Sequence, residues 1–309
     1  MGMLKVIVNR LLVSVVVLLG TLTLVFSLLH LLPGDPVNIK IAGNPVSPEV
    51  VHNLRHEFGL DLPLYKQYFQ YVGKVFHGDF GKSLVDNEAV MVKLMTQFPA
   101  TISLTLLSMA IAIMLGVLLG VLSAVYRHRS LDHLIRLLSL FGISMPTFWV
   151  AILFVLIFSV HWQWLPASGV GGFQYLILPA ASMGIVGAGL IARMVRGSML
   201  EAINEPFVRT LRAKGLPERT VMYQHVLRNA LIPAVTMIGM LLGELLAGAV
   251  VIESVFARQG IGRIILDAIM AKDLPVVQGA ILLTASLYII VNLIVDLSYA
   301  IIDPRVRET

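Results

Sequence analysis

An all-α, polytopic membrane protein is the fold class this sequence predicts, and three observations predict it. Hydrophobic residues make up 57% of the chain against 13% charged. Mean hydropathy is +0.86. Six apolar runs are each long enough to cross a bilayer as a helix, which takes about 20 residues. Such a composition cannot clothe a soluble domain of 309 residues in charge. Runs this long also exclude a closed barrel, whose strands need only about ten residues each. No cysteine is present, which excludes disulfides, thiolate metal sites and cysteine nucleophiles. The net charge of +5 reads as membrane topology, and no nucleic-acid partner is expected.

The six expected spans are Leu11 to Leu32, Phe98 to Val125, Leu134 to Val160, Tyr175 to Ala192, Pro233 to Ile252 and Val276 to Ile302. Internal Pro146, Pro179, Gly184 and Gly239 are no obstacle, because neighbouring helices can satisfy the freed backbone groups. The first run is too long for a secretory signal, and no small-residue cleavage site follows it, so it is read as retained. Orientation follows from the short connections. Lys5 and Arg10 lie at the entry, Arg127, Arg129 and Arg136 between the second and third spans, and Arg305 and Arg307 in the tail, whereas 161–174 holds no Lys or Arg. Positive charge stays inside, so both termini and the 193–232 connection are expected in the cytoplasm, with 33–97 and 253–272 outside. No internal repeat, linker or low-complexity tract divides the chain, and residues 1–309 are expected to form one transmembrane domain that meets the lipid bilayer along most of its length.

The outside segment 33–97 carries its own helix punctuation. Ser47, Pro48 and Glu49 supply an N-cap, a first position and an acidic first turn, and Gly59 suits a C-terminal stop. Asp61, Leu62 and Pro63 open a second helix toward Phe76, with Leu64, Tyr68, Tyr71 and Val75 on one face.

The connection between the fourth and fifth spans, "NEPFVRTLRAKGLPERTVMYQHVLRNALIP" from Asn204 to Pro233, is dense in arginine. Asn204 or Glu205 can cap a helix whose first position is Pro206, and Gly215 can end it. The enclosed piece is about 13 Å long, with Phe207, Val208 and Leu211 as apolar contacts and Arg209, Arg212 and Lys214 toward its end. It is too short to be stable alone. Pro217 opens a second helical piece with Val221, His225 and Arg228 along one side. Three readings fit the block on composition: positive-inside charge on a plain loop, an amphipathic helix on anionic lipid, or a short helix docked into a partner's groove.

"RTLRAKG" followed by "RNALIP" resembles the cytoplasmic coupling loop of ABC importer permeases of the oligopeptide, dipeptide and nickel family. The resemblance runs along the whole chain, through "LLPGDP", "FGLDLPLYKQY", "GDFGKS", "SMPTFW", "WLPASG", "GIGR", "DLPVVQG" and "DPRVR" in order. In the general importer pattern Glu-Ala-Ala precedes a Gly by three residues; here Arg209, Thr210 and Leu211 take the first three places and Gly215 the last. Arg258 and Gln259 stand where many members carry Trp-Pro. The resemblance implies a type I ABC importer permease (MetI-like) fold in a bacterial inner membrane. It also implies that Pro206, Phe207, Arg209, Thr210, Leu211, Arg212, Ala213, Lys214 and Gly215 couple the chain to a cytoplasmic ATPase. The implied partners are a second homologous permease subunit, two ATPase subunits and an extracytoplasmic solute-binding protein. ATP and Mg belong to the ATPases, and this chain is expected to bind no cofactor. The implied cargo is a di- or oligopeptide, with a nickel or other metal chelate and glutathione as alternatives.

Other residues invite chemistry. Gly81-Lys82-Ser83 looks like the end of a phosphate loop, but Phe76 stands where its first Gly is needed. His52 and His56, four apart on a helix, are weak metal candidates without a third ligand, and His30 reads as interfacial packing. Glu244 lies inside the fifth span, where an ionisable group is costly unless it faces a polar cavity or partner. With Gly239 and Gly243 it forms a candidate translocation-pathway site, able to receive a cationic or amine-bearing solute; the alternative is a structural hydrogen bond. Asn292, Asp296, Gly116 and Gly120 read as helix packing. A secondary transporter would show two related halves with broken helices, and an intramembrane hydrolase a nucleophile with its base. Neither pattern is found in the sequence.

Overall fold

The computed structural model describes residues 2–31, 37, 40–41, 46–57, 59–169 and 171–302; for 2–7, 9, 28–31, 57 and 296–302 it describes the backbone alone. The "LLPGDP" motif beyond Leu31, the "DPRVR" tail and the side chains of Lys5, His30 and Asp296 lie outside these residues. The described chain is almost wholly helical. In order it forms α1 (Gly2–Leu31), α2 (Pro48–Glu57), α3 (Leu64–Phe76), α4 (Val90–Val125), α5 (Ser130–Ser144) and α6 (Thr147–Phe154, continued by a π-helical stretch Val155–His161). Then come α7 (Gln174–Ile203), α8 (Pro206–Ala213), α9 (Leu227–Val255, preceded by helical Glu218–Thr220 and π-helical Val221–Val226), α10 (Ile261–Met270) and α11 (Leu274–Ile302).

Among the described residues, five helices are long and apolar enough to cross a membrane, and a sixth span results if α5 and the α6 stretch are taken together. That pair covers the expected span from Leu134 to Val160 and bends by 107°. The break sits at Met145 and Pro146, both extended at ψ 134° and 133°. Proline drives the residue before it out of the α region, and here the helix restarts instead of absorbing the defect. Pro99, Pro179 and Pro233 stay inside continuous helices, whereas Pro146 stands at the break. The other spans are longer than the apolar runs: α4 has 36 residues, about 54 Å against a hydrocarbon core of about 30 Å. The α7 helix continues past Ala192 to Ile203, and Glu218 to Val255 is one 38-residue rod.

The chain forms two compact units. One comprises 1–7, 101–258 and 290–309, the other 8–100 and 259–289. In the first, α7 is the central helix, buried along most of its length. Small residues allow its close contacts. A Cβ on Gly116 or Gly120 of α4 would meet Ile191 Cβ at 2.6 Å or the Ala192 carbonyl oxygen at 2.8 Å, and one on Gly184 would meet the Ser108 carbonyl oxygen at 2.9 Å. Leu104, Met183, Ile191, Val195 and Leu241 fill the space between α4, α7 and α9.

In the second unit, Val90 and Leu94 of α4 pack with Ile261 and Ala268 of α10 and Val276 and Ala280 of α11. The "GDFGKS" loop is held there by Asp273, which accepts bonds from the Ser83 hydroxyl and from the Leu84 amide at 3.0 Å. Gly81 has φ +79°. The Ser83 hydroxyl is buried in this contact, which leaves no phosphate cradle. The α2 helix starts where Ser47 Oγ accepts from the Val50 amide at 3.4 Å and stops at Gly59, φ +67°.

Candidate functional site

Between α7 and the α9 rod, α8 projects as a separate short helix. Glu205 is extended and Pro206 takes the first helical position, where its missing N–H costs nothing. Glu205 makes no side-chain cap. Asn204 serves the helix before it, its Nδ2 donating to the Leu200 carbonyl at 2.9 Å. At the other end Gly215 has φ +78°, its amide donates to Arg212 O at 2.9 Å, and the Leu216 amide donates to Leu211 O at 3.3 Å. These two bonds make a Schellman stop. Leu211 and Leu216 meet the same apolar cluster, as this motif favours.

The seat of α8 is apolar and its outer face basic. Val208 is wholly buried, and Phe207 and Leu211 pack against the cluster that includes Val221, Met222 and Val226. Arg209, Thr210, Arg212, Ala213 and Lys214 are exposed. Arg212 forks onto Glu218, Nε to Oε2 at 3.0 Å and Nη2 to Oε1 at 2.6 Å, tying α8 to the next rod across the Gly215 turn. Beyond Glu218 the side-chain register departs from the expected stripe. Val221 and Val226 are buried, His225 is half-buried and Arg228 exposed. The π-helical stretch bonds i to i+5 and re-aims the faces.

Just before α8, Arg196 of α7 meets Asp132 of α5, donating from Nε to Oδ1 at 2.9 Å and from Nη2 to Oδ2 at 3.1 Å. Asp132 is buried and also accepts from Ser123 Oγ at 2.6 Å and the His128 amide at 3.1 Å. Sequence reasoning missed this cluster, although Asp132 is the lone acid among the Arg127–Arg136 cations. It also missed Glu253, fully buried at the end of α9 and accepting from Thr101 Oγ1 at 2.6 Å. Nearby Arg258 is buried, its Nη2 3.4 Å from Ser103 Oγ. Burial pulls its guanidinium below the ordinary value, and the Glu253 charge opposes that.

The candidate pathway residues separate. Glu244 lies on an exposed stripe with Thr236, Met240, Ala247 and Val251, the helical period along one face of α9. Gly239 and Gly243 are buried instead. A Cβ on Gly239 would stand 2.2 Å from Val295 Cγ1 of α11, so this glycine serves helix packing, not a surface beside Glu244. His52 and His56 are exposed on α2, and no cluster of three metal-binding side chains occurs among the described residues.

Residues 116–308 match the family of binding-protein-dependent transport system inner membrane components, and residues 3–105 match the N-terminal region of such membrane components. The chain is 41% identical to the di/tripeptide transport system permease protein DppB of Pseudomonas aeruginosa, over 99% of each chain. It is 40% identical to the probable D,D-dipeptide transport system permease protein DdpB of Escherichia coli, over 94% of each. It is also 40% identical to the glutathione transport system permease protein GsiC of Escherichia coli, over 99% of each. Among solved structures, an inward-facing MetNI methionine ABC transporter chain superposes with a TM-score of 0.60 at 20% identity, covering 69% of this chain and 97% of that one. This likeness places the fold. The chain belongs to the inner-membrane components of binding-protein-dependent transport systems: it is a permease subunit of an ABC importer, whose ATPase is a separate subunit, and not itself an enzyme.

Proposed function

We propose that this permease imports di- or oligopeptides and that α8 is the element through which its ATPase drives it. The observation that carries the reading is the construction of α8: a proline start, a glycine stop, an apolar seat and an exposed basic face, set between the α7 helix and the rod to Val255. A short rigid knob on two long packed helices is suited to pass a push into a bundle that switches between discrete arrangements. The peptide cargo follows the names of relatives about 40% identical over nearly the whole chain. Glutathione is the second reading, favoured by the likeness to the glutathione permease. None of the relatives named above is a nickel permease.

In this reading the whole chain acts as one permease domain with both termini and α8 in the cytoplasm, supported by the cations at Arg10, Arg127, Arg129 and Arg136 and by their absence from 161–174. A second, similar permease, two ATPases and an external binding protein complete the assembly. Glu244 faces the shared path, because an exposed carboxylate in so apolar a helix is costly against lipid. Uptake of a labelled dipeptide and of glutathione into proteoliposomes tests the reading. Dipeptide uptake is expected only with the ATPases, ATP and the binding protein together; uptake driven by an ion gradient alone overturns it.

A further inference from the structure

We propose that α3 lies in the membrane surface where α1 leaves it, with its Tyr65, Phe69 and Phe76 edge inserted at the boundary between lipid headgroups and acyl chains. The α3 helix has two apolar edges. Tyr68 and Tyr71 pack on Phe26 of α1, with ring centroids 5.3 and 5.8 Å apart. The Tyr68 and Thr23 hydroxyls are 2.7 Å apart. Thr23 already donates its hydroxyl proton to the Leu19 carbonyl at 2.7 Å, so Tyr68 is the donor. On the second edge Phe69 meets the Tyr68 ring of its own helix, with centroids 5.7 Å apart, and Tyr65, Phe69 and Phe76 are 61%, 69% and 72% exposed. With Val72 they recur at the helical period beside the α1-facing edge, while Lys66, Gln70 and Lys74 lie on the far side.

The depth of the α1 contact says what covers that edge. The apolar run of α1 extends from Leu11 to Leu32, and its stretch 10–27 is only 11% buried in this chain. The Tyr68 hydroxyl meets Thr23 well inside that run, so the tip of this ring reaches below the end of the apolar stretch. A helix held through such a tip lies against the outer part of the bilayer, where interfacial helices sit, about 5–10 Å into the headgroup and acyl boundary. A broad aromatic sector backed by lysines and glutamines is the composition that zone selects. In water the same three rings would be an unexplained apolar edge. The α1 run on which α3 packs is itself apolar and little buried in this chain, so the edge extends an apolar surface long enough to span the bilayer, and lipid is the occupant proposed for it.

The cysteine-free chain makes the test direct. Single cysteines at Tyr65, Phe69, Phe76, Lys66 and Lys74 carry nitroxide labels in the assembled transporter in proteoliposomes, and collisions with oxygen and a water-soluble nickel chelate are compared. The ratio of oxygen to nickel collisions is expected to be several-fold higher at 65, 69 and 76 than at 66 and 74. Equal nickel access at all five overturns the proposal, and so does exclusion of both reagents at 69 and 76, the mark of a protein interface. On the unsubstituted chain, a carbene photolabel carried in the acyl chains should tag the peptide containing Phe69 and Phe76; no tag there overturns it too. Neither measurement depends on cargo or on ATPase coupling.

Discussion

Arg196 and Asp132 form a two-pronged ion pair, at 2.9 and 3.1 Å, that fixes α7 to the start of α5 about two turns before α7 ends ahead of the α8 knob. The carboxylate is buried and the guanidinium largely so. Removing one partner leaves a desolvated charge, an effect of about 3–5 kcal/mol in buried pairs. Asp132→Asn should therefore lower thermal stability markedly. The double variant Asp132→Asn with Arg196→Gln should recover part of the loss, read as melting of the purified permease. Additive losses would deny that the pair acts as a unit.

Gly215 holds a left-handed turn that only glycine, and less readily asparagine, adopts without strain. Gly215→Val should cost about 1–2 kcal/mol locally and misplace α8, lowering ATP-driven uptake while the α7 and α9 helices stay folded. Gly215→Asn should retain most uptake. The check is transport by the two variants at equal membrane abundance.

Glycines on α4 and α7 separate packing from propensity. At Gly120 an added Cβ lies 2.8 Å from a carbonyl oxygen of the facing helix, whereas at Gly197 nothing lies within 4 Å. Gly120→Ala should destabilise by about 1–3 kcal/mol through overpacking. Gly197→Ala should be neutral or stabilise by up to about 1 kcal/mol. Melting temperatures of the two variants test the close approach of α4 and α7.

Glu244→Gln keeps the shape of the side chain and removes its charge. If Glu244 faces the path of an amine-bearing cargo, uptake should fall several-fold, with ATPase binding unchanged. Unchanged uptake removes Glu244 from the path.

How much of this was legible in the sequence depends on distance along the chain. The limits of α8 were readable because proline at the first position and glycine at the stop act within one turn. The spans were readable from apolar length, but their ends were not. Arg193 to Ile203 is too polar to count as a span, yet it continues α7 unbroken. Four prolines look alike in sequence, and only Pro146 breaks its helix. Asp132 with Arg196 and Thr101 with Glu253 were out of reach, since no periodicity joins residues that far apart. Gly239 lies close to Glu244 in sequence, whereas a five-residue step on a helix turns it toward a different neighbour.

The central claim is that α8 touches the ATPase, and cysteine crosslinking from Ala213 tests it most directly. Ala213 is exposed, and the chain has no other cysteine to confuse the result. A cysteine at 213 should crosslink to an ATPase cysteine in the assembled transporter, with a yield that changes when ATP is added. Absence of crosslinks from every position between Arg209 and Gly215, in a complex that still imports peptide, would contradict the account.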